Sequence, residues 1–213
     1  MSCAAIILAA GFASRWGRPK QLVRLSGETL LDRVARTALA AGCDPVVCVI
    51  GAHAEALALH PMPAGVTPVF HAQWAEGMGS SLAFGVKAVL ESAPASESLF
   101  VLLCDQPMVT PNLLAVMQAA RLERGGKGIV LCDPGEVPSG PPALFSRAFF
   151  TDMQALTGDV GARALARRHA EDVASVVFPA ARWDLDTPED YDRLLAQYPE
   201  LNTTRDPLSH SPV

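Results

Sequence analysis

Three cations, Arg15, Arg18 and Lys20, follow closely on an apolar run from Cys3 to Leu8. Two carboxylates stand in settings unlike those of ordinary surface acids. Asp105 closes the apolar stretch Leu99 to Cys104, and Asp186 lies in Asp184-Leu185-Asp186 just ahead of Thr187-Pro188-Glu189-Asp190. Arg offers a bidentate fork and Lys a mobile point charge, and both neutralise phosphate. Paired carboxylates can hold a hard divalent cation through oxygen. Such a set suits transfer at the α-phosphorus of a nucleoside triphosphate, where charge must be neutralised as pyrophosphate leaves. An acceptor that is itself a phosphate needs no Ser or His nucleophile, and the five histidines form no triad pattern with Ser or Cys.

Read singly, each piece also has an ordinary structural meaning. The turn Ala9-Ala10-Gly11 can be only a turn, and Arg15, Arg18 and Lys20 only a solvated face. Asp105 can cap a following helix. Thr187 explains its own helix start, with Pro188 at N1, but leaves Asp184 and Asp186 unexplained.

The elements that must position these residues follow from apolar spacing. Cys3–Leu8 reads as a buried strand, as do Val46–Ile50, Val66–Phe70, Leu99–Cys104, Gly128–Cys132 and Val173–Phe178. Helical spacing runs from Thr29 to Ala41, from Ala52 to Leu59, and from Ser80 or Ser81, as cap, to Glu91. Further helices are expected from Pro111 to about Arg124, after Asp159 as cap, and from Pro188 to about Tyr198. Gly135–Pro142 reads as a loop. Strands and helices alternate, so we expect a Rossmann-like three-layer α/β/α fold with a mostly parallel sheet. The basic loop, Asp105 and Asp186 would then meet in the crevice outside the strand ends. Residues 1–198 are expected to form a single domain, with 199–213 as a mobile tail.

Composition bounds the function. The chain has 213 residues, half of them apolar, and a net charge of −5. There is no Lys/Arg run, which argues against nucleic acid as the main partner. The run Cys3–Ala10 is too short to span a bilayer, so no membrane partner is expected. The five cysteines form no Cys-x-x-Cys pair and read as reduced core residues. With no secretory pattern at the start, we expect a cytoplasmic protein.

The stretch Leu8-Ala9-Ala10-Gly11-Phe12-Ala13-Ser14-Arg15-Trp16-Gly17-Arg18-Pro19-Lys20-Gln21-Leu22 is neither a P-loop nor a Gly-x-Gly-x-x-Gly loop. It resembles the signature of the molybdenum cofactor cytidylyltransferase branch of the MobA-like NTP transferases. Three further segments resemble motifs of the same family: Gly77-Met78-Gly79-Ser80-Ser81-Leu82, Cys104-Asp105-Gln106-Pro107, and Asp184-Leu185-Asp186-Thr187-Pro188. Gly158-Asp159-Val160-Gly161-Ala162-Arg163 is a marked feature of that branch. The likeness runs from Ala4 to Leu194.

The resemblance implies transfer of CMP from CTP to molybdenum-bound molybdopterin, with Mg²⁺ as cofactor. The product, molybdopterin cytosine dinucleotide, would go to an enzyme of the xanthine dehydrogenase type or its chaperone. It assigns catalysis to Arg15, Lys20, Asp105 and Asp186, with the two aspartates on the metal. The nucleotide would lie on Leu8, Ala9, Ala10, Gly11, Arg15, Lys20, Gly77, Ser80, Ser81 and Asp105. The acceptor would meet Gln106, Pro142, Asp159 and Arg163. In the family, Leu-Ala-Ala-Gly goes with CTP and Leu-Ala-Gly-Gly with GTP, so Ala10 favours cytosine. Two positions depart from the pattern: Trp16 where Met is common, and Pro141 where the family often has His. Other readings remain open here: GTP as donor, another phosphate-bearing acceptor such as a sugar phosphate, or a non-catalytic carrier of the molybdenum cofactor.

Overall fold

The computed structural model describes residues 2–135 and 139–202. Its strands are β1 (Cys3–Ala9), β2 (Arg24–Leu25), β3 (Glu28–Thr29), β4 (Val46–Ile50), β5 (Val66–Phe70), β6 (Ser98–Leu103), β7 (Ile129–Asp133), β8 (Gly140–Ser146) and β9 (Val173–Val177). The helices are α1 (Leu30–Ala40), α2 (Ala54–Ala58), α3 (Met78–Ser92), α4 (Pro111–Glu123), α5 (Phe150–Gln154), α6 (Ala162–Arg168) and α7 (Pro188–Gln197). Seven strands form one sheet in the order β5-β4-β1-β6-β8-β7-β9. Only β8 runs against the others.

Both faces of this sheet are covered, which is why its central strands are apolar throughout rather than alternating. Ala5, Ile7, Phe100 and Leu102 point to one side and pack with Leu31 and Val34 of α1 and Leu114 and Met117 of α4. Ala4, Ile6, Leu99 and Val101 point to the other and pack with Leu82 and Val86 of α3, Met153 of α5 and Leu165 of α6. The expected three-layer α/β/α fold with a mostly parallel sheet is the one observed. All five cysteines are buried thiols. Among the described residues no helix is long and apolar enough to cross a membrane.

The differences from the sequence reading have local causes. Residues expected in the Gly135–Pro142 loop begin β8, while 136–138 lie outside the described residues. The β7–β8 ladder jumps from Leu131↔Ala143 to Cys132↔Gly140. Pro141 and Pro142 fall in that irregularity, where a missing N–H breaks no ladder bond. The hairpin β2–β3 turns on Ser26 and Gly27, at φ 54° and 79°. Two consecutive positive φ values make the tight turn whose twist matches paired strands. Helix α3 starts at Met78 with Gly77 as N-cap, so Ser80 and Ser81 lie inside its first turn rather than capping it. Helix α6 is likewise capped by Gly161, not Asp159. Thr29, Thr110 and Thr187 do cap their helices, and Thr187 forms a reciprocal capping box with Asp190.

A third, smaller core joins the signature loop to α7. Trp16, Leu25, Leu30, Leu185, Tyr191 and Leu194 are buried together. Trp16 donates its Nε1–H to the Leu185 carbonyl at 3.1 Å, and Tyr191 donates its hydroxyl to the Arg24 carbonyl at 3.0 Å. The turn Pro199–Leu201 packs on this core, with Ser26 Oγ donating to the Leu201 carbonyl at 2.8 Å. The rest of the expected tail, from 203, lies outside the described residues.

Helix α3 reaches the sheet through Gly85. A Cβ there would lie 2.9 Å from Ile6 Cγ2 and 3.0 Å from Val49 Cγ2. Gly85→Val is expected to destabilise the protein by about 1–3 kcal/mol, because overpacking outweighs the gain in helix propensity. Urea unfolding of the two proteins measures the difference.

Candidate active site

Strands β1 and β6 are neighbours, and the loops beyond their carboxyl ends open into a crevice of about 490 Å³. Leu8, Ala9, Ala10 and Gly11 form one wall and Arg15 and Lys20 stand beside them. Asp105 and Asp186 face these cations, while Gly77, Ser81 and Asp159 line the crevice from the α3 side.

Lys20 is the centre of the charged end. Its Nζ donates to Asp105 Oδ2 at 2.7 Å and to Asp186 Oδ1 at 3.0 Å. The Lys20 and Asp105 side chains are 14% and 17% exposed, whereas Asp186 is 50% exposed. Arg15 reaches Asp186 Oδ2 from the solvent side at 3.7 Å. Burial pulls the lysine pKa down, but the charge and hydrogen bond of Asp105 outweigh it, and the net shift is upward. Lys20 therefore keeps its proton throughout the neutral and mildly alkaline range.

Asp105 and Asp186 are 81 positions apart. They meet because Asp105 ends β6 and the Asp184–Asp186 segment is tied to it: the Leu185 N–H donates to the Asp105 carbonyl at 2.8 Å. Leu185 is fully buried between the two exposed aspartates. Asp105 Oδ1 is buried and has no hydrogen-bond partner among the described residues. An unpaired carboxylate oxygen beside a second carboxylate is a donor set that fits a hard divalent cation.

Gln21 is a site residue that sequence reading missed, as is Trp74, which also lines the crevice. Gln21 makes the clearer contacts of the two. It is 2% exposed, and its Nε2 donates to the carbonyls of Ala9 at 2.7 Å and Gly11 at 3.3 Å. The carbonyl between them, on Ala10, accepts from the Ala52 N–H at 3.0 Å. With three successive carbonyls occupied, backbone N–H groups are what this turn can offer a phosphate. A glutamine beside two cations looks like solvated surface in a sequence, so only its burial reveals the clamp.

The two glycine-rich motifs of the α3 side form one wall. The Gly79 N–H donates to the Gly158 carbonyl at 2.7 Å, and a Cβ on Gly77 would lie 2.5 Å from the Gly158 backbone. Asp159 is thereby held at the crevice. Ser80 is not in the crevice: it is buried behind it, with its Oγ 2.6 Å from His71 Nε2. Burial lowers the His71 pKa, so the ring is neutral. Gln106, Pro142 and Arg163 also lie outside the crevice lining. Gln106 Nε2 donates to the Pro141 carbonyl at 3.0 Å, and Arg163 Nε donates to the Ser139 carbonyl at 3.1 Å. Pro142 is buried in the β8 irregularity.

Gln21→Leu is expected to leave the Ala9 and Gly11 carbonyls without their donor and to cost about 1–3 kcal/mol of stability. Thermal or urea unfolding checks it, and Gln21→Glu, which also sets a buried carboxylate against the two carbonyls, should cost more.

Known proteins resemble this chain in sequence and fold. Nicotine blue oxidoreductase from Paenarthrobacter nicotinovorans is 31% identical over 198 residues, covering 89% of this chain and 95% of its own. A molybdenum cofactor guanylyltransferase from Sinorhizobium fredii is 32% identical over 122 residues, which is 55% of this chain and 52% of that protein. The crystal structure of Rv0371c from Mycobacterium tuberculosis H37Rv in complex with manganese superposes with a TM-score of 0.74. Its identity is 27%, and the match covers 92% of this chain and 99% of that one. The MobA-like NTP transferase domain matches residues 5–173, and the chain belongs to that family.

Proposed function

We propose that this nucleotidyltransferase moves CMP from CTP to molybdopterin carrying molybdenum, releasing pyrophosphate. The observation that carries the reading is the bridging of Asp105 and Asp186 by Lys20 at the mouth of β1 and β6. Arg15 and Lys20 bind and neutralise the triphosphate, and Lys20 does so as a permanent cation because its pKa is raised. Asp105, through its unpaired Oδ1, and Asp186 would hold Mg²⁺. Such an ion would supply positive charge against the charge that develops on the phosphate oxygens. Gln21 keeps the Ala9–Gly11 turn open to phosphate oxygens. An acceptor phosphate oxygen attacks the α-phosphorus, the bond to the bridging oxygen breaks, and pyrophosphate leaves. The manganese complex of a structural relative and the name of the guanylyltransferase relative support the metal and the cofactor-related acceptor.

Cytosine is favoured by Ala10. Its methyl group lies beside Gly51 and Trp74, where a Cβ on Gly51 would come within 2.9 Å of it. The extra carbon narrows the floor available to a base. One methyl group discriminates by about 1–3 kcal/mol.

The relative named as an oxidoreductase gives a second reading, in which the same crevice serves a redox reaction. A lysine clamped between two carboxylates, one of them with an unpaired oxygen, suits charge neutralisation at a triphosphate, so transfer is the reading we prefer.

Pyrophosphate release with CTP, Mg²⁺ and molybdenum-bound molybdopterin tests the proposal. Lys20→Ala is expected to lower turnover at least a hundredfold while the protein stays folded. Unchanged turnover in Lys20→Ala, or consumption of a reduced nicotinamide without pyrophosphate, would contradict it. Ala10→Gly is expected to shift the CTP-to-GTP ratio of kcat/KM about tenfold towards GTP. An unchanged ratio would place base selection elsewhere.

A further inference from the structure

The charged cluster accounts for only one end of the crevice. At the other end Trp74 lines the crevice, and two further rings, Phe12 and His53, continue a nearly parallel series from it. The Phe12 ring lies 6.5 Å from that of Trp74 at an interplanar angle of 9°. The His53 ring stacks on Phe12 at 5.4 Å and 19°, and its Nε2 lies 2.6 Å from the Phe12 carbonyl oxygen. Phe12 is 59% exposed although it belongs to the turn that Gln21 clamps.

Trp74 is fixed in place. Its N–H donates to the His71 carbonyl at 3.2 Å, and its side chain rests on Gly51, where any Cβ would lie 2.5 Å from Trp74 Cβ. The strand order sets the separation of the two ends. Gly51 follows β4 and Asp105 follows β6, with β1 between them. Two strand spacings amount to about 10 Å. The base and the phosphates of one nucleotide can therefore lie on either side of β1.

We propose that Phe12 and Trp74 form a stacking platform for the base of the nucleoside triphosphate, with His53 bracing Phe12. This deepens, and rests on, the reading of the crevice as a nucleotide site. Stacking engages the π face, which every base possesses, rather than the hydrogen-bonding edge. The platform therefore supplies affinity that is nearly the same for each base, and selection among bases is left to the floor around Ala10. Phe12 and Trp74 set how tightly a nucleotide is held, but not which one.

The test uses the full chain with Mg²⁺. Equilibrium dialysis of CTP, GTP and inorganic tripolyphosphate is run on wild type, Phe12→Ala, Trp74→Phe and Trp74→Ala, together with tryptophan emission. Phe12→Ala is expected to weaken CTP and GTP by the same factor, about tenfold, and to leave tripolyphosphate binding unchanged. CTP should quench emission in wild type and not in Trp74→Phe, which retains most of the affinity. Phe12 is exposed, so its variant reports even if Trp74→Ala fails to fold. Wild-type CTP affinity in Phe12→Ala, or an equal loss of CTP and tripolyphosphate, would overturn the platform while the nucleotide reading stands. Absence of binding by any triphosphate to wild type would overturn both.

Discussion

A largely shielded lysine ammonium held by two carboxylates governs the architecture of the crevice. Burying Lys20 alone would be costly, and burying Asp105 alone equally so. Each is tolerable because the other is present, and Asp186 and Arg15 complete the set at the solvent edge. Two cations and two carboxylates sum to no net charge. The rest of the fold brings these four side chains together from three distant parts of the chain. Strand β6 delivers Asp105, the loop after β1 delivers Arg15 and Lys20, and the segment before α7 delivers Asp186.

That convergence depends on the third core as well as on the sheet. Leu185 is buried with Trp16 and Tyr191, and its backbone is bonded to both Trp16 and Asp105. The apolar residue between the two aspartates therefore acts as the anchor, and the aspartates project because Leu185 does not. Trp16, a departure from the residue common at its position, fills that core and donates a hydrogen bond to the segment carrying Asp186. The signature loop and the second carboxylate are thus one packed unit.

Much of this was legible in the sequence. Apolar runs marked the strands of the parallel sheet, Pro111 marked the start of α4, and Thr187 with Pro188 marked that of α7. Asp105 stood out because it closes the apolar run Leu99–Cys104, and Asp186 because the cap Thr187 leaves it unexplained, while the family resemblance singled out Lys20. What stayed hidden depends on tertiary contact. β8 carries Gly and two prolines, which read as a loop until its irregular pairing with β7 is seen. Gln21 and Ser80 are polar residues whose direction no periodicity reveals, one clamping a turn and the other bonded to His71. The contact of the Gly77–Gly79 and Thr157–Gly161 segments joins two motifs that sequence presents as separate.

The pairing within the charged cluster bears directly on metal binding. In the free protein Lys20 already engages Asp105 and Asp186, and Arg15 engages Asp186, so a divalent cation competes with these side chains for the carboxylates until a triphosphate draws them away. Electron paramagnetic resonance titration of Mn²⁺, with and without CTP, measures this. The account predicts weak Mn²⁺ binding to the free protein, at least tenfold tighter binding with CTP present, and loss of that gain in Asp186→Asn. Equal Mn²⁺ affinity with and without CTP, or a gain that survives in Asp186→Asn, would contradict it.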